Sequence, residues 1–192
     1  MKVLGIYGSP RKGGNSDLLL DQALEGARLA GAETKALYVR KLKLSGCLEC
    51  GGCDKTGECV VEDDMAQVYP LLEEAEAIIL SAPIFFYNVP AQAKALIDRS
   101  QACWAKRLLN KGHERGKYEG GRGYLIAVGA TKGQNLFLGV ELTAKYFYDA
   151  MDMSYLGGLL HRGIEGKGSV NDHPEALKEA LELGRGIAQG QG

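Results

Sequence analysis

The chain has 192 residues, long enough for one domain with a closed core and short for two. Its 23 basic residues nearly balance its 24 acidic ones, leaving a formal net charge of −1. That balance excludes a global field that would favour nucleic acid or an anionic membrane. The amino end, MKVLGIYGSPRKGG, reads as a buried strand entering a loop and not as a signal peptide. The longest apolar stretch, AIILSAPIFF (77–86), is broken by Ser81 and Pro83 and is too short to span a bilayer. The expected compartment is therefore the cytoplasm, where clustered cysteines bind metal or do redox chemistry more often than they form structural disulfides.

In chain order, the short apolar run Val3 to Tyr7 predicts a buried strand. After the loop, Asn15 or Ser16 can cap a helix with Leu19, Leu20, Ala23, Leu24 and Ala27 on one face, ended by Gly31. Lys35 to Val39 predicts a second strand, followed by a cysteine-rich segment. Asp63 or Asp64 then caps a helix carrying Met65, Val68 and Leu72, with a kink or break expected at Pro70. Ala77 to Ser81 is the third strand, unbroken and apolar as a central parallel strand should be. One helix is expected through Ala93, Leu96, Ile97 and Trp104, and a mobile, charged surface loop over 106–123. Tyr124 to Val128 gives a fourth strand, Gln134 to Ala150 a helix, Met153 to Leu160 a fifth strand and Pro174 to Ala188 a last helix. Regular alternation of strand and helix predicts a single α/β domain over 1–192, a doubly wound five-stranded parallel sheet with a cysteine-rich insertion at 45–62. The insertion follows the second strand, on the carboxyl-end side of the sheet, where open α/β sheets bind ligands.

The loop GSPRKGGNS (8–16) joins a buried strand to a helix amino terminus, an arrangement that offers backbone N–H groups and a positive dipole end to a phosphate. Ser9, Asn15 and Ser16 add side-chain donors, Arg11 or Lys12 adds charge, and the loop holds no acidic residue. Gly8 and Gly13 have the spacing of a nucleoside-triphosphate loop, but Gly14 and Asn15 stand where Lys and Ser/Thr are needed. No G-x-G-x-x-G occurs, so a dinucleotide fingerprint is also absent.

Cys47, Cys50 and Cys53 are spaced C-x2-C-x2-C, with Cys59 further on. Two consecutive short gaps wrap a chain around one cubic cluster, as in bacterial ferredoxin runs. The run departs from that pattern in its longer last gap and in lacking a proline after the fourth cysteine. Zinc ribbons use two C-x2-C knuckles far apart, and no second knuckle is present. A 4Fe–4S cluster, zinc, and reduced thiols or an occasional disulfide all stay open on spacing alone. Cys103 stands apart beside Trp104 and reads as a buried structural thiol.

GSPRKGGNS, ECVVEDDM (58–65), SAPIFFYNVPAQAKALIDR (81–99) and the cysteine motif together resemble the flavodoxin-like NADPH-dependent FMN reductase superfamily, and within it the iron–sulfur flavoproteins. That resemblance implies sheet order 2-1-3-4-5 and a bound FMN. Its phosphate would sit on Ser9, Arg11, Asn15 and Ser16, and its ring on Pro83, Ile84, Phe85, Phe86, Tyr87 and Asn88. The loop Ala130, Thr131, Lys132, Gly133 would close the other side. The iron–sulfur flavoprotein motif allows the longer gap, so Cys47, Cys50, Cys53 and Cys59 would hold a 4Fe–4S cluster. The expected function is flavin-based electron transfer, with no side-chain acid or base required, from NAD(P)H or a ferredoxin to a small acceptor. A homodimer or homotetramer is implied, and neither nucleic acid nor membrane is an expected partner. The alternatives are a cluster-free FMN, quinone or azo reductase, or a non-enzymatic flavin or thiol redox sensor. Among lesser candidates, Asp98-Arg99 reads as a dimer-crossing pair or a local surface ion pair. His113 reads as solvated, His161 as structural and His173 as a helix cap, and the basic content of 106–123 as a solvated face.

Overall fold

Apolar side chains on both faces of its strands bury the sheet of the computed structural model, which describes residues 1–111 and 118–191. The elements are β1 (Lys2–Tyr7), α1 (Asn15–Leu29), β2 (Glu33–Tyr38), α2 (Met65–Glu74), β3 (Ala77–Pro83) and α3 (Ala91–Arg99). They continue as α4 (Gln101–Lys111), β4 (Gly121–Gly129), α5 (Leu138–Ala150), β5 (Met153–Arg162) and α6 (Pro174–Ala188). The strands pair in parallel in the order β2-β1-β3-β4-β5, the flavodoxin-like topology that the resemblance implies.

Period-two alternation divides the core. Leu4, Ile6, Ile78, Leu80 and Leu125 face α2, α3 and α5, whereas Val3, Tyr7, Ile79, Tyr124 and Ile126 face α1 and α6. Each fully buried side chain of this kind contributes about 1.5–3 kcal/mol. Tyr148 of α5 is wholly buried, and its hydroxyl donates to the Tyr124 carbonyl at 2.6 Å and accepts the Leu80 N–H at 3.1 Å. It thereby ties α5 to two adjacent strands. Helices α1 and α6 touch backbone to backbone. A Cβ on Gly26 would lie 1.9 Å from the Leu181 carbonyl oxygen, and one on Gly184 would lie 1.8 Å from that of Ala23.

Several elements differ from the sequence expectation. The helix expected through Trp104 is two helices, because the Ser100 hydroxyl and N–H both bond to the Ile97 carbonyl and turn the chain. Helix α2 is one piece despite Pro70. Ala66 and Pro70 are both exposed, so the carbonyl that proline leaves unbonded faces water. The expected surface loop over 106–123 is helical through Lys111, and β4 begins at Gly121. Three of its described cations are paired: Lys106 with Glu73, Arg107 with Asp149 and Asp152, and Lys111 with Glu119 and Asp152. His113 lies outside the described residues. Helix α5 starts at Leu138 rather than Gln134, after turns that bond Leu136 to Gly133 and Leu138 to Asn135. Among the described residues no helix is long and apolar enough to cross a membrane.

Candidate functional site

Strand β1 delivers the chain to the carboxyl edge of the sheet, where the Gly8 N–H bonds to the Ser81 carbonyl of β3 at 2.7 Å. The 8–14 loop is braced from beneath. Gly13, at φ +65°, donates its N–H to Asp17 Oδ2 at 3.0 Å. Arg40 Nη1 lies 3.0 Å from the same oxygen and 3.3 Å from the Ser9 carbonyl. Arg40 also packs over the Tyr38 ring, which stacks on Tyr7 at 4.3 Å. Burial raises the Asp17 pKa, with Gly13 and Arg40 pulling it partly back. The upper side of the loop leads into the first turn of α1, whose N–H groups have no partner within the helix.

Above this turn lies a cleft of about 210 Å³. Ser9, Arg11, Asn15 and Ser16 form its floor, and Pro83, Ile84 and Phe85 one wall. The opposite wall is built by Ala130, Ile164, Glu165 and Lys167, of which the last three, on the loop after β5, were not singled out from sequence. The Asn15 side chain is spent on that loop: Nδ2 donates to the Gly166 carbonyl at 2.8 Å and Oδ1 accepts the Val170 N–H at 3.1 Å. These bonds turn the side chain toward that loop and engage Oδ1 and one of the two Nδ2 hydrogens, so the backbone N–H is the first donor residue 15 offers a ligand. Glu165 places a carboxylate in a cleft whose floor loop has none, across from Arg11 and on the same wall as Lys167.

Phe86, Tyr87, Asn88, Thr131, Lys132 and Gly133 do not line this cleft. Residues 85–88 form a tight turn closed by Phe85 N–H to Asn88 carbonyl at 2.8 Å and Asn88 N–H to Phe85 carbonyl at 3.0 Å. Phe86 and Tyr87 at its tip have φ +48° and +63°, a conformation costing about 1–3 kcal/mol per non-glycine residue. Phe86 is fully exposed. Asn88 donates to Thr143 Oγ1 at 3.0 Å and accepts the Val89 N–H, so its side chain serves the turn. A Cβ built on Gly133 would come within 3.7 Å of the Tyr87 hydroxyl, which makes the turn and the 131–133 loop adjoining parts of one rim.

The cysteine segment leaves the sheet after β2 and a short 3-10 turn, Val39–Lys41, and returns at Met65. Its two ends are clasped by Lys43 N–H to Asp64 Oδ2 at 2.6 Å and Ser45 N–H to Asp63 Oδ2 at 3.3 Å. Between them, Cys47, Cys50, Cys53 and Cys59 all line one cavity of about 610 Å³, together with Arg99 and Gln101. Among the described residues no three Cys, His, Asp or Glu side chains close around a single ion. Thiolates on one zinc at about 2.3 Å stand less than about 4 Å apart and those of a cluster stand wider, and four cysteines lining one open cavity are a donor set of the kind a cluster takes. The Cys53 thiol is pushed up by burial and then by Asp54, Cys59 and Cys47. Cys59 is held below its ordinary value, because the Val61 N–H and the Arg99 guanidinium outweigh burial. The Glu49 N–H reaches Cys47 Sγ at 3.4 Å. Cys103 sits apart on α4, its thiol pushed up to about 12 by burial.

Asp98-Arg99 is neither of the pairs expected from sequence. Asp98 pairs with Lys94 at 2.6 Å, whereas Arg99 is 1% exposed and forks onto Asp63. Its Nη1 also donates to the Ser45 carbonyl at 3.2 Å and Nη2 to that of Val61 at 3.3 Å. Among the described residues Nε is buried without a hydrogen-bond partner. His161 packs on β5 with Nε2 3.8 Å from Glu179, and burial lowers its pKa. His173 occupies the cap position of α6 without a side-chain capping bond.

The model of the family described as NADPH-dependent FMN reductase matches residues 1–159. The chain is 36% identical over 192 residues to an iron–sulfur flavoprotein of Archaeoglobus fulgidus, covering 98% of this chain and 80% of that one. It is 33% identical over 196 residues to an iron–sulfur flavoprotein of Methanosarcina thermophila, covering 95% and 96%. Among solved structures it is similar to an NAD(P)H:quinone oxidoreductase from Methanothermobacter marburgensis, with TM-score 0.70 and 15% identity over 97% of this chain and 96% of that one. At that identity the likeness shows the fold alone. A cleft at the β1–α1 turn, a cavity lined by four cysteines and these relatives agree: the chain belongs to the NADPH-dependent FMN reductase family, in its iron–sulfur flavoprotein group, and is a flavin-dependent oxidoreductase.

Proposed function

We propose that this protein is an FMN-dependent electron-transfer oxidoreductase carrying a 4Fe–4S cluster on Cys47, Cys50, Cys53 and Cys59. It takes electrons from NAD(P)H or a ferredoxin in the cytoplasm and delivers them to a small acceptor. The observation that carries the reading is the convergence of the four cysteines on one cavity. Bound FMN supplies both hydride and single-electron chemistry and a cluster supplies single-electron chemistry, so the pair links two-electron and one-electron partners.

The chain's own residues would do the rest. The N–H groups opening α1, with Ser9, Ser16 and Arg11, hold a phosphate, and Lys167 adds charge from the opposite wall. Pro83, Ile84 and Phe85 present an apolar wall that orients a flat ring and keeps water from one face. About 210 Å³ is small for a whole mononucleotide against the ~300–1,000 Å³ of ordinary ligand pockets. The ring would therefore extend over the rim formed by Tyr87 and 131–133, as the resemblance implies. Exposed Phe86, Leu138, Leu142 and Tyr146 favour a homodimer or homotetramer covering that side.

Iron and acid-labile sulfide on anaerobically purified protein, with spectra before and after dithionite, test this reading. The expected result is one FMN and one four-iron centre per chain. FMN without iron would leave the cluster-free reductase, and iron-loaded protein with no turnover of a quinone by NADPH or reduced ferredoxin would leave a sensor.

A further inference from the structure

We propose that Arg99 is the positioning residue of the cysteine cradle, and that its one unspent N–H serves the sulfur site. The inference rests on the cluster reading above. A guanidinium has five N–H donors. Four of them are accounted for: Nη1 donates to the Ser45 carbonyl and Asp63 Oδ2, and Nη2 to the Val61 carbonyl and Asp63 Oδ1. The fifth, on Nε, is buried without a partner among the described residues. An end-on fork to a carboxylate occupies the two terminal nitrogens and leaves Nε on a different edge of the guanidinium plane. That edge belongs to a side chain 1% exposed, on the wall of the cavity that the four cysteines share.

Two consequences follow from the arrangement. Residues 45 and 61 flank the four cysteines, and their carbonyls meet on one planar cation, so the mouth of the cysteine hoop is fixed to the end of α3. A cluster taking up one electron forms and breaks no bond, but gains one negative charge. A buried cation with a free donor stabilises that reduced form and raises its potential.

The test uses holoprotein reconstituted anaerobically with iron and sulfide, in wild type, Arg99→Lys and the double variant Asp63→Asn/Arg99→Gln. The double variant leaves no unpaired buried charge, and Arg99→Lys keeps the charge but loses the fork. Iron per chain, FMN per chain and an EPR-monitored titration with dithionite are read for each. With FMN retained, the double variant is expected to reduce at least tenfold less readily at a fixed solution potential, a midpoint lower by about 59 mV for one electron. Arg99→Lys is expected to hold severalfold less iron. Either effect supports the proposal. Wild-type iron and midpoint in both variants would overturn it, as would loss of FMN together with iron in both, since Arg99 would then serve the whole fold. A wild-type chain that takes up no iron would defeat the cluster reading itself.

Discussion

Asn15→Ala separates two roles that the opening loop assigns to one side chain. The structure commits that side chain to the loop after β5, through two hydrogen bonds at 2.8 and 3.1 Å. Each is a neutral, partly solvated bond worth about 0.5–1.5 kcal/mol, so the pair contributes roughly 2 kcal/mol. For a chain of this size that lowers the Tm of the FMN-free protein by about 4–8 °C. The same change removes no phosphate ligand, because the backbone N–H at residue 15 survives. It loosens the wall carrying Ile164 and Lys167, so riboflavin should weaken as well as FMN, and the FMN loss should exceed the riboflavin loss by no more than the severalfold contribution of Lys167. Were Asn15 a direct ligand of a charged phosphate, its loss would cost about 1.5–3 kcal/mol, roughly ten- to 150-fold in FMN affinity and nothing for riboflavin. Thermal unfolding of FMN-free protein and fluorescence titration with both flavins distinguish the cases. An unchanged Tm with a selective loss of FMN greater than about tenfold would refute the reasoning.

Three further outcomes are expected. Tyr148→Phe removes a hydroxyl that serves β3 and β4 while keeping the ring, and should lower stability by about 1–3 kcal/mol in urea titrations without altering FMN affinity. Lys167→Ala should weaken FMN severalfold and riboflavin little, a difference that shrinks with added salt. Burial holds the His161 pKa below its ordinary value, with Glu179 opposing and His173 reinforcing the shift. The unfolded chain therefore takes up a proton that the folded chain resists. This stability is present above about pH 6.5 and lost as pH falls through the depressed folded value. His161→Gln should flatten the drop in urea midpoint between about pH 7.5 and about pH 5.

The centre of the sheet was legible because β1, β3 and β4 are apolar runs, and burial on both faces leaves little else for such runs to do. Strand–helix alternation then fixes the carboxyl edge, and with it the positions of Ser9 and Pro83 across the cleft. Two kinds of feature were not legible. The wall formed by Ile164, Glu165 and Lys167 follows β5, which β3 and β4 separate from β1. It reaches the phosphate loop only because α6 returns to pack against α1, carrying residues 163–172 across the edge of the sheet. Charged residues were the other failure. KRLLNK at 106–111 reads as loop until Glu73, Asp149 and Asp152 are brought to it from distant segments. Arg99 reads as the exposed end of a short amphipathic helix, and becomes buried only when the cysteine insertion folds back to place Asp63 on it, 36 residues away in sequence. Periodicity assigns apolar side chains because their burial follows from local pattern. A cation is buried only where distant acceptors satisfy it, so Arg99 could be placed at the sulfur site only after the contacts of the insertion were known.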